Sequence, residues 1–318
     1  MKSLYESLLD DLDTIEKKSN DAIVPGIEEF IRKNYQLGSG TKYTISDKLN
    51  ENGKYVVDMK GSFSWVKFIG KGDSLTNGTF EFGELRGCGF KCSESNILSL
   101  EGAPREVICD GALHYFDCSN CKNLKSLEGG PEKVSFKYDC SNCENLRSLE
   151  GAPKDCHRLD RFDCSGCTSL KTLEGGPDRL DRGSFNCSGC TSLKSLKGAP
   201  VVYYQFNCSD CSSLKTLEGI RNYSMNGNFN CSGCTSLKTL EGGPVKVSGD
   251  FICAGCNSLE SLEGGPKEVS STYDCSDCTS LKSLKGSPKE TKQLKITNCP
   301  KLKGIDYSEL GGNYPIRD

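Results

Sequence analysis

One phrase, F-x-C-S-x-C-x-x-L-x-x-L-x-G-x-P, limits what this chain can fold into more than any other feature. It is first complete from Phe116 to Pro131. It returns with its cysteines at Cys118/Cys121, Cys140/Cys143, Cys164/Cys167, Cys187/Cys190, Cys208/Cys211, Cys231/Cys234, Cys253/Cys256 and Cys275/Cys278. Successive first cysteines are 22, 24, 23, 21, 23, 22 and 22 residues apart. A period of that size specifies a solenoid, whose units bury their apolar faces only by stacking on one another. A shorter copy opens the array with Phe90, Cys92, Ser95, Ile97 and Leu100. A degenerate one closes it with Leu294, Ile296, Cys299, Leu302 and Ile305.

Within one unit, alternation predicts a short strand with Phe116 and Cys118 inward and Asp117 outward. Cys121 falls where the strand turns, with its S–H near backbone carbonyls of the next coil, and Leu124 and Leu127 fill the core. Gly102, Gly129, Gly151, Gly175, Gly198, Gly219, Gly242, Gly264 and Gly286 each follow the last Leu by two positions. That regularity implies a backbone angle or close approach that a Cβ would obstruct. Pro stands two positions further on in eight of these nine coils, Arg221 being the exception. Proline without an N–H suits an irregular return path rather than a paired strand. Ten coils at ~4.8 Å each give a parallel ladder roughly 45 to 50 Å long.

Phe90-x-Cys92-x-x-Ser95-x-Ile97-x-x-Leu100 resembles the leucine-rich repeat, L-x-L-x-x-N-x-L-x-x-L, with Ser in the Asn place. The later copies resemble its cysteine variant, with Cys in that place. The S-G-C-T-S-L-K wording is similar to that of plant immune receptors. The L-x-G-x-P ending, and the opening Met1-Lys-Ser-Leu-Tyr-Glu-Ser, resemble repeat proteins encoded by gut bacteria and their bacteriophages. The resemblance covers about residues 85 to 305. It implies an α+β fold: a leucine-rich-repeat solenoid with a short parallel β-ladder of about ten coils, preceded by a small helical/β cap. It says little of function, because such solenoids bind very different things.

The flanks lack the repeat. Leu4, Leu8, Leu12 and Ile15 are spaced for a helix, and Pro25 to Asn34 for a second, with Ile27, Phe30 and Ile31 as its stripe. Lys42–Ser46 and Lys54–Met59 read as strands about a turn near Asn50-Glu-Asn-Gly53, and Ser62–Ile69, with Trp65, as a further one. The expected division is a cap or module over 1–84, the solenoid over 85–305 and a C-terminal cap over 306–318. The chain carries 26% charged residues and a formal net charge of −3. Neither nucleic acid nor a membrane surface is indicated as a partner. Its apolar runs are too short to span a bilayer, and its acidic start is unlike a signal peptide.

Twenty-one cysteines without a leader point to a reducing, cytoplasmic setting, that of the host if the gene is a phage's. Eight CxxC motifs raise metal and redox chemistry. Their register argues instead for a structural thiol ladder of the sixteen paired cysteines and Cys299. Ile296 replaces the first cysteine of a coil and Ser95 the second, swaps that packing tolerates and a metal cage does not. Disulfides stay geometrically open, since neighbouring strands bring Cα atoms within bridging distance. No metal or other cofactor is expected. Cys156 falls where Val134, Val247 and Val269 stand in other coils.

Two charge columns run along the repeat. Lys125, Arg147, Lys171, Lys194, Lys215, Lys238 and Lys282 form one, broken by Glu260. Glu128, Glu150, Glu174, Glu218, Glu241 and Glu263 form the other, broken by Lys197 and Lys285. They read as a solvated lattice of weak ion pairs. The outward strand position carries Asp117, Asp139, Asp163, Asn186, Asn207, Asn230, Ile252, Asp274 and Lys295. Its aspartates and asparagines are the candidate binding row: carboxylates at strand spacing repel, and await a basic partner or simply keep the face hydrated. Catalytic motifs are lacking, and Cys156-His157 are neighbours whose side chains should diverge. The expectation is a non-enzymatic repeat scaffold that binds a macromolecule, in the first place another protein. A structural, virion-associated or self-assembling protein is the main alternative, and a surface that orders glycan or ice a remote third.

Overall fold

The computed structural model describes residues 23–108, 115–154, 156–221, 224–302, 310, 312 and 315–317, apart from the side chains of 62–65. The helix expected over Leu4–Ile15, Ile305 of the closing repeat and most of the expected C-terminal cap lie outside the described residues.

Each coil lays its aromatic residue directly over that of the coil before. Phe90 pairs with Phe116, Phe116 with Tyr138 and Tyr138 with Phe162 in parallel register. The ladder continues through Phe185, Phe206, Phe229, Phe251 and Tyr273 to Leu294. Identical register at strand spacing puts ring over ring, with centroids 5.6 Å apart for Phe90–Phe116 and 4.9 Å for Phe251–Tyr273. Leu124, Leu127 and their counterparts close the core beneath, wholly buried. The fold is therefore the expected solenoid of about ten coils on a parallel ladder.

The return path is more regular than its prolines suggest. On the return path the chain forms pieces of a second parallel ladder: Val107 pairs with Val134, Leu180 with Val202, Met225 with Val247 and Val247 with Val269. Proline ends its influence one residue on, and the following β-branched residues bury one side while their backbone bonds the next coil. Where proline is missing, Arg221 donates from Nε and Nη2 to the Ala199 carbonyl at 3.3 and 3.2 Å.

At the N-terminal end, residues 23–34 are helical, and Ile27 and Ile31 are buried. Phe30 meets the Phe80 ring edge-on at 5.8 Å. Four strands follow: β1 (Tyr35–Leu37), β2 (Lys42–Ile45), β3 (Tyr55–Phe68) and β4 (Phe80–Lys91). The runs 54–59 and 62–69, expected as separate strands, belong to the single strand β3; its register with β4 shifts twice, with the extra residue on β4 opposite Val57–Met59 and the extra residues on β3 between Lys60 and Ser64. β3 pairs in parallel with β4, and β4 serves both ladders: Glu84–Arg86 bond to Glu106–Ile108, and Phe90–Lys91 to Phe116–Asp117. The residue 84/85 division drawn from sequence thus falls inside β4. β1 and β2 add antiparallel to β3. At the other end Ile316–Arg317 pair with Leu294–Lys295 as a last rung.

Candidate binding faces of the solenoid

The turn after each front strand sets the faces. The residue between Ser and the second Cys has positive φ in every coil, including Asn120 at 57°, Gly189 at 69° and Asp210 at 59°. Only Asn, Asp and Gly occupy it from Asn120 to Asn298, because these residues tolerate the left-handed region. The outward Asp or Asn secures this turn. Asp117 Oδ1 accepts from Ser119 N at 2.9 Å and Ser119 Oγ at 2.6 Å, and Asp139 and Asp163 repeat the pattern with Ser141 and Ser165. Asn186, Asn207 and Asn230 accept from Ser188, Ser209 and Ser232 N.

The aspartates are not a row of unpaired charges. Lys137 Nζ lies 2.7 Å from Asp139 Oδ2, Arg161 Nη2 2.7 Å from Asp163 Oδ2, Lys91 Nζ 3.4 Å from Asp117 and Lys295 Nζ 2.9 Å from Asp274. Burial alone would raise the Asp139 carboxyl, yet hydrogen bonds from Lys137 and Ser141 hold it below its usual range. Asp274 behaves alike through Ser276 and Lys295. The Asp163 side chain is only 7% exposed while that of Arg161 is 52%. Solvent therefore meets cations over the N-terminal coils. Tyr115, Lys137, Arg161 and Ser184 stand in register as a second row. The sequence carried that signal as K-x-D and R-x-D, two residues apart on one strand face.

The thiols form a hydrogen-bonded ladder. Each second cysteine donates to the carbonyl of the first cysteine one coil earlier. Cys121 donates to Cys92 O at 3.1 Å, Cys143 to Cys118 O at 3.2 Å and Cys167 to Cys140 O at 3.2 Å. Cys190 donates to Cys164 O at 3.2 Å, Cys234 to Cys208 O at 3.1 Å and Cys256 to Cys231 O at 3.2 Å. Cys278 with Cys253 O at 3.2 Å and Cys299 with Cys275 O at 3.3 Å complete the series.

Two sequence expectations are corrected here for Cys121 and its counterparts, Cys190, Cys234 and Cys256 among them. Their partner is the preceding coil, not the following one, because the turn carries the second cysteine back over the strand beneath. They are also hydrogen-bond donors rather than plain apolar filler, though as wholly buried as the first cysteines Cys187, Cys208 and Cys231. Ser95 satisfies Cys92 O within its own coil at 2.6 Å. Burial pushes the first thiols, such as Cys118, Cys140 and Cys164, well above the usual value. Cys121 is lowered, chiefly by the neighbouring Cys92 thiol and further by Ser95, against its own burial. No disulfide joins one described cysteine to another, and all of them but Cys299 are buried. Cys156 donates to Pro153 O at 3.2 Å inside the core, while His157 turns outward to Asp181 at 2.8 Å.

On the adjoining face the two charge columns do not pair with each other. Ion pairs run along a column, only where its sign alternates: Lys197–Glu174 at 3.0 Å, Lys282–Glu260 at 3.1 Å and Lys285–Glu263 at 2.8 Å. Lys and Glu three residues apart have a buried Leu between them and diverge, whereas equivalent residues of adjacent coils lie one rung apart. Among the described residues, Lys125, Arg147, Lys171, Lys194, Lys215 and Lys238 make no ion pair.

A concavity of about 990 Å³ lies beside the β2–β3 hairpin and is acidic. Its carboxylates have partners: Glu81 with Asn50, Glu84 with Arg86, Glu101 with Lys54, and Glu132 with Arg105. No cluster of three or more His, Cys, Asp or Glu among the described residues is arranged to hold a metal ion. No described helix is long and apolar enough to cross a membrane.

No family model matches the chain, and no curated protein matches it. A crystal structure of a leucine-rich repeat protein from Bacteroides ovatus is similar over 88% of this chain and 99% of its own, with 13% identity and a TM-score of 0.28. A likeness that distant adds nothing to the fold, which rests on the repeat and its two ladders.

Proposed function

We propose that the chain is a non-catalytic repeat scaffold that binds another protein through the front ladder of its N-terminal coils. The observation that carries this reading is the in-register row Tyr115, Lys137 and Arg161, backed by largely buried aspartates. Asp139 and Asp163 fix the cation heads, so little side-chain entropy remains to be lost on binding. Tyr and Arg are also the residue types that anchor protein interfaces. The aspartates then act from behind the contact row, and an acidic or carbonyl-rich partner suits the face better than a basic one.

The reading is tested with photo-crosslinking residues at 115, 137 and 161 in the protein expressed in its native cell, with positions 171, 194 and 215 as controls. One shared adduct from the first set, absent from the second and lost in Lys137→Glu/Arg161→Glu, is expected. Adducts from the control set alone would place the binding face elsewhere.

A further inference from the structure

We infer that the face carrying the two charge columns is a self-association surface whose partner is a second copy of this chain. The columns lie side by side with opposite sign, exposed along their length, and are separated by the smaller residues Ser126, Ser148, Thr172, Ser195, Thr216 and Thr239. A lone polyanion would match the lysines but meet the glutamates beside them. A second copy rotated by a two-fold axis parallel to the solenoid axis exchanges the columns, laying cations on carboxylates. The two-fold lying across the columns would instead lay Lys on Lys, so charge selects one orientation.

In that arrangement Lys125 faces Glu128 of the second copy, Arg147 faces Glu150, Lys171 faces Glu174, Lys215 faces Glu218 and Lys238 faces Glu241. All five of these cations lack an ion pair among the described residues. The coils where like charges would meet are those headed by Lys194, Glu260 and Lys282. There Lys197, Glu260, Glu263, Lys282 and Lys285 are already paired along their own columns. Lys194 apart, the column charges left without an ion pair among the described residues are all opposed by the second copy, and so is Glu174, which already pairs with Lys197. Eight coils by a strip of seven residues give a face of roughly 35 by 20 Å. About 1,400 Å² would be buried in total, toward the lower end for a specific interface. With no apolar centre, association is weak and governed by salt. This inference is independent of the front-ladder reading, since the two faces adjoin without sharing residues.

Sedimentation velocity on the full chain tests it, at about 10 mM and about 1 M salt, where charge is felt over about 30 Å and about 3 Å. A dimer in low salt that dissociates in high salt is expected. Lys125→Glu/Arg147→Glu/Lys171→Glu and Glu128→Lys/Glu150→Lys/Glu174→Lys should each be monomeric, with unchanged circular dichroism and melting. Mixed one to one, they should recover a heterodimer. A wild-type monomer at both salts overturns the inference, whether or not it is retained on a polyanion column. So does a dimer indifferent to salt, or a mixture of the two variants that stays monomeric.

Discussion

A Cβ placed on Gly265 would lie 2.6 Å from the hydroxyl oxygen of Tyr273, eight residues later in the same coil. The equivalent position is Ala103, Ala152 or Ala199 before Phe116, Phe162 and Phe206, and Gly176 or Gly243 before Phe185 and Phe251. It is Gly before both Tyr138 and Tyr273, so the larger ring and the missing methyl share one space. Both hydroxyls are buried without a protein hydrogen-bond partner.

A double-mutant cycle follows. Gly265→Ala should cost about 1 to 3 kcal/mol, as overpacking does. Tyr273→Phe should be neutral or stabilising, since it removes an unpaired buried hydroxyl. In the Tyr273→Phe background Gly265→Ala should cost markedly less. Urea unfolding of the four proteins measures the coupling, and additive costs would refute shared space.

The two cysteine positions should discriminate between substitutes in opposite ways. Cys211 donates to Cys187 O at 3.2 Å, so Cys211→Ser should be tolerated, as Ser95 is, while Cys211→Val leaves that carbonyl unbonded at about 1 to 3 kcal/mol. Cys208 packs as an apolar group where the last coil has Ile296, so Cys208→Val should be mild and Cys208→Ser the costly change. Melting temperatures of the four variants check the crossing pattern.

Alkali should unfold the protein abruptly. Burial raises the Cys92, Cys118, Cys140, Cys164, Cys187 and Cys208 thiols well above their ordinary value of 9.0. Above pH 9 the unfolded chain loses these protons and the folded chain keeps them, so the stability they lend below that pH is lost as pH rises. Each contributes a slope of about 1.4 kcal/mol per pH unit. Stability should be flat near neutrality and collapse within about one to two units above 9. A fluorescence-monitored pH titration, repeated with Cys208→Val, should show the steepness fall by one thiol.

Two glycine columns should respond differently. An added Cβ at Gly189 meets nothing nearer than 3.6 Å, so Gly189→Asn should be close to neutral, as Asn120 and Asn142 are at that turn, and Gly189→Val destabilising. At Gly129, φ is 79° and a Cβ would fall 2.6 Å from the Glu101 backbone nitrogen. Gly129→Asn should therefore be severe despite suiting the angle. Thermal melts of the three variants separate angle from space.

What the sequence determined by itself was everything that repeats. Period, inward Phe and Cys, core Leu and the regular spacing of Gly129 and its counterparts follow from one pattern, because a stacked coil sees only its neighbours. What a single coil cannot specify was decided by the tertiary structure. The carbonyl that receives the Cys121 thiol, and the rung on which Lys197 finds Glu174, depend on which coil lies beneath. The candidate row was legible as positions but not as chemistry: Asp139 and Asp163 were found, while their neutralisation by Lys137 and Arg161 needed the two outward rows side by side on one face. The second ladder was hidden for a related reason. Two residues such as Lys246–Val247 carry too little pattern to declare a strand, and their bonds come only from the equivalent residues one coil away.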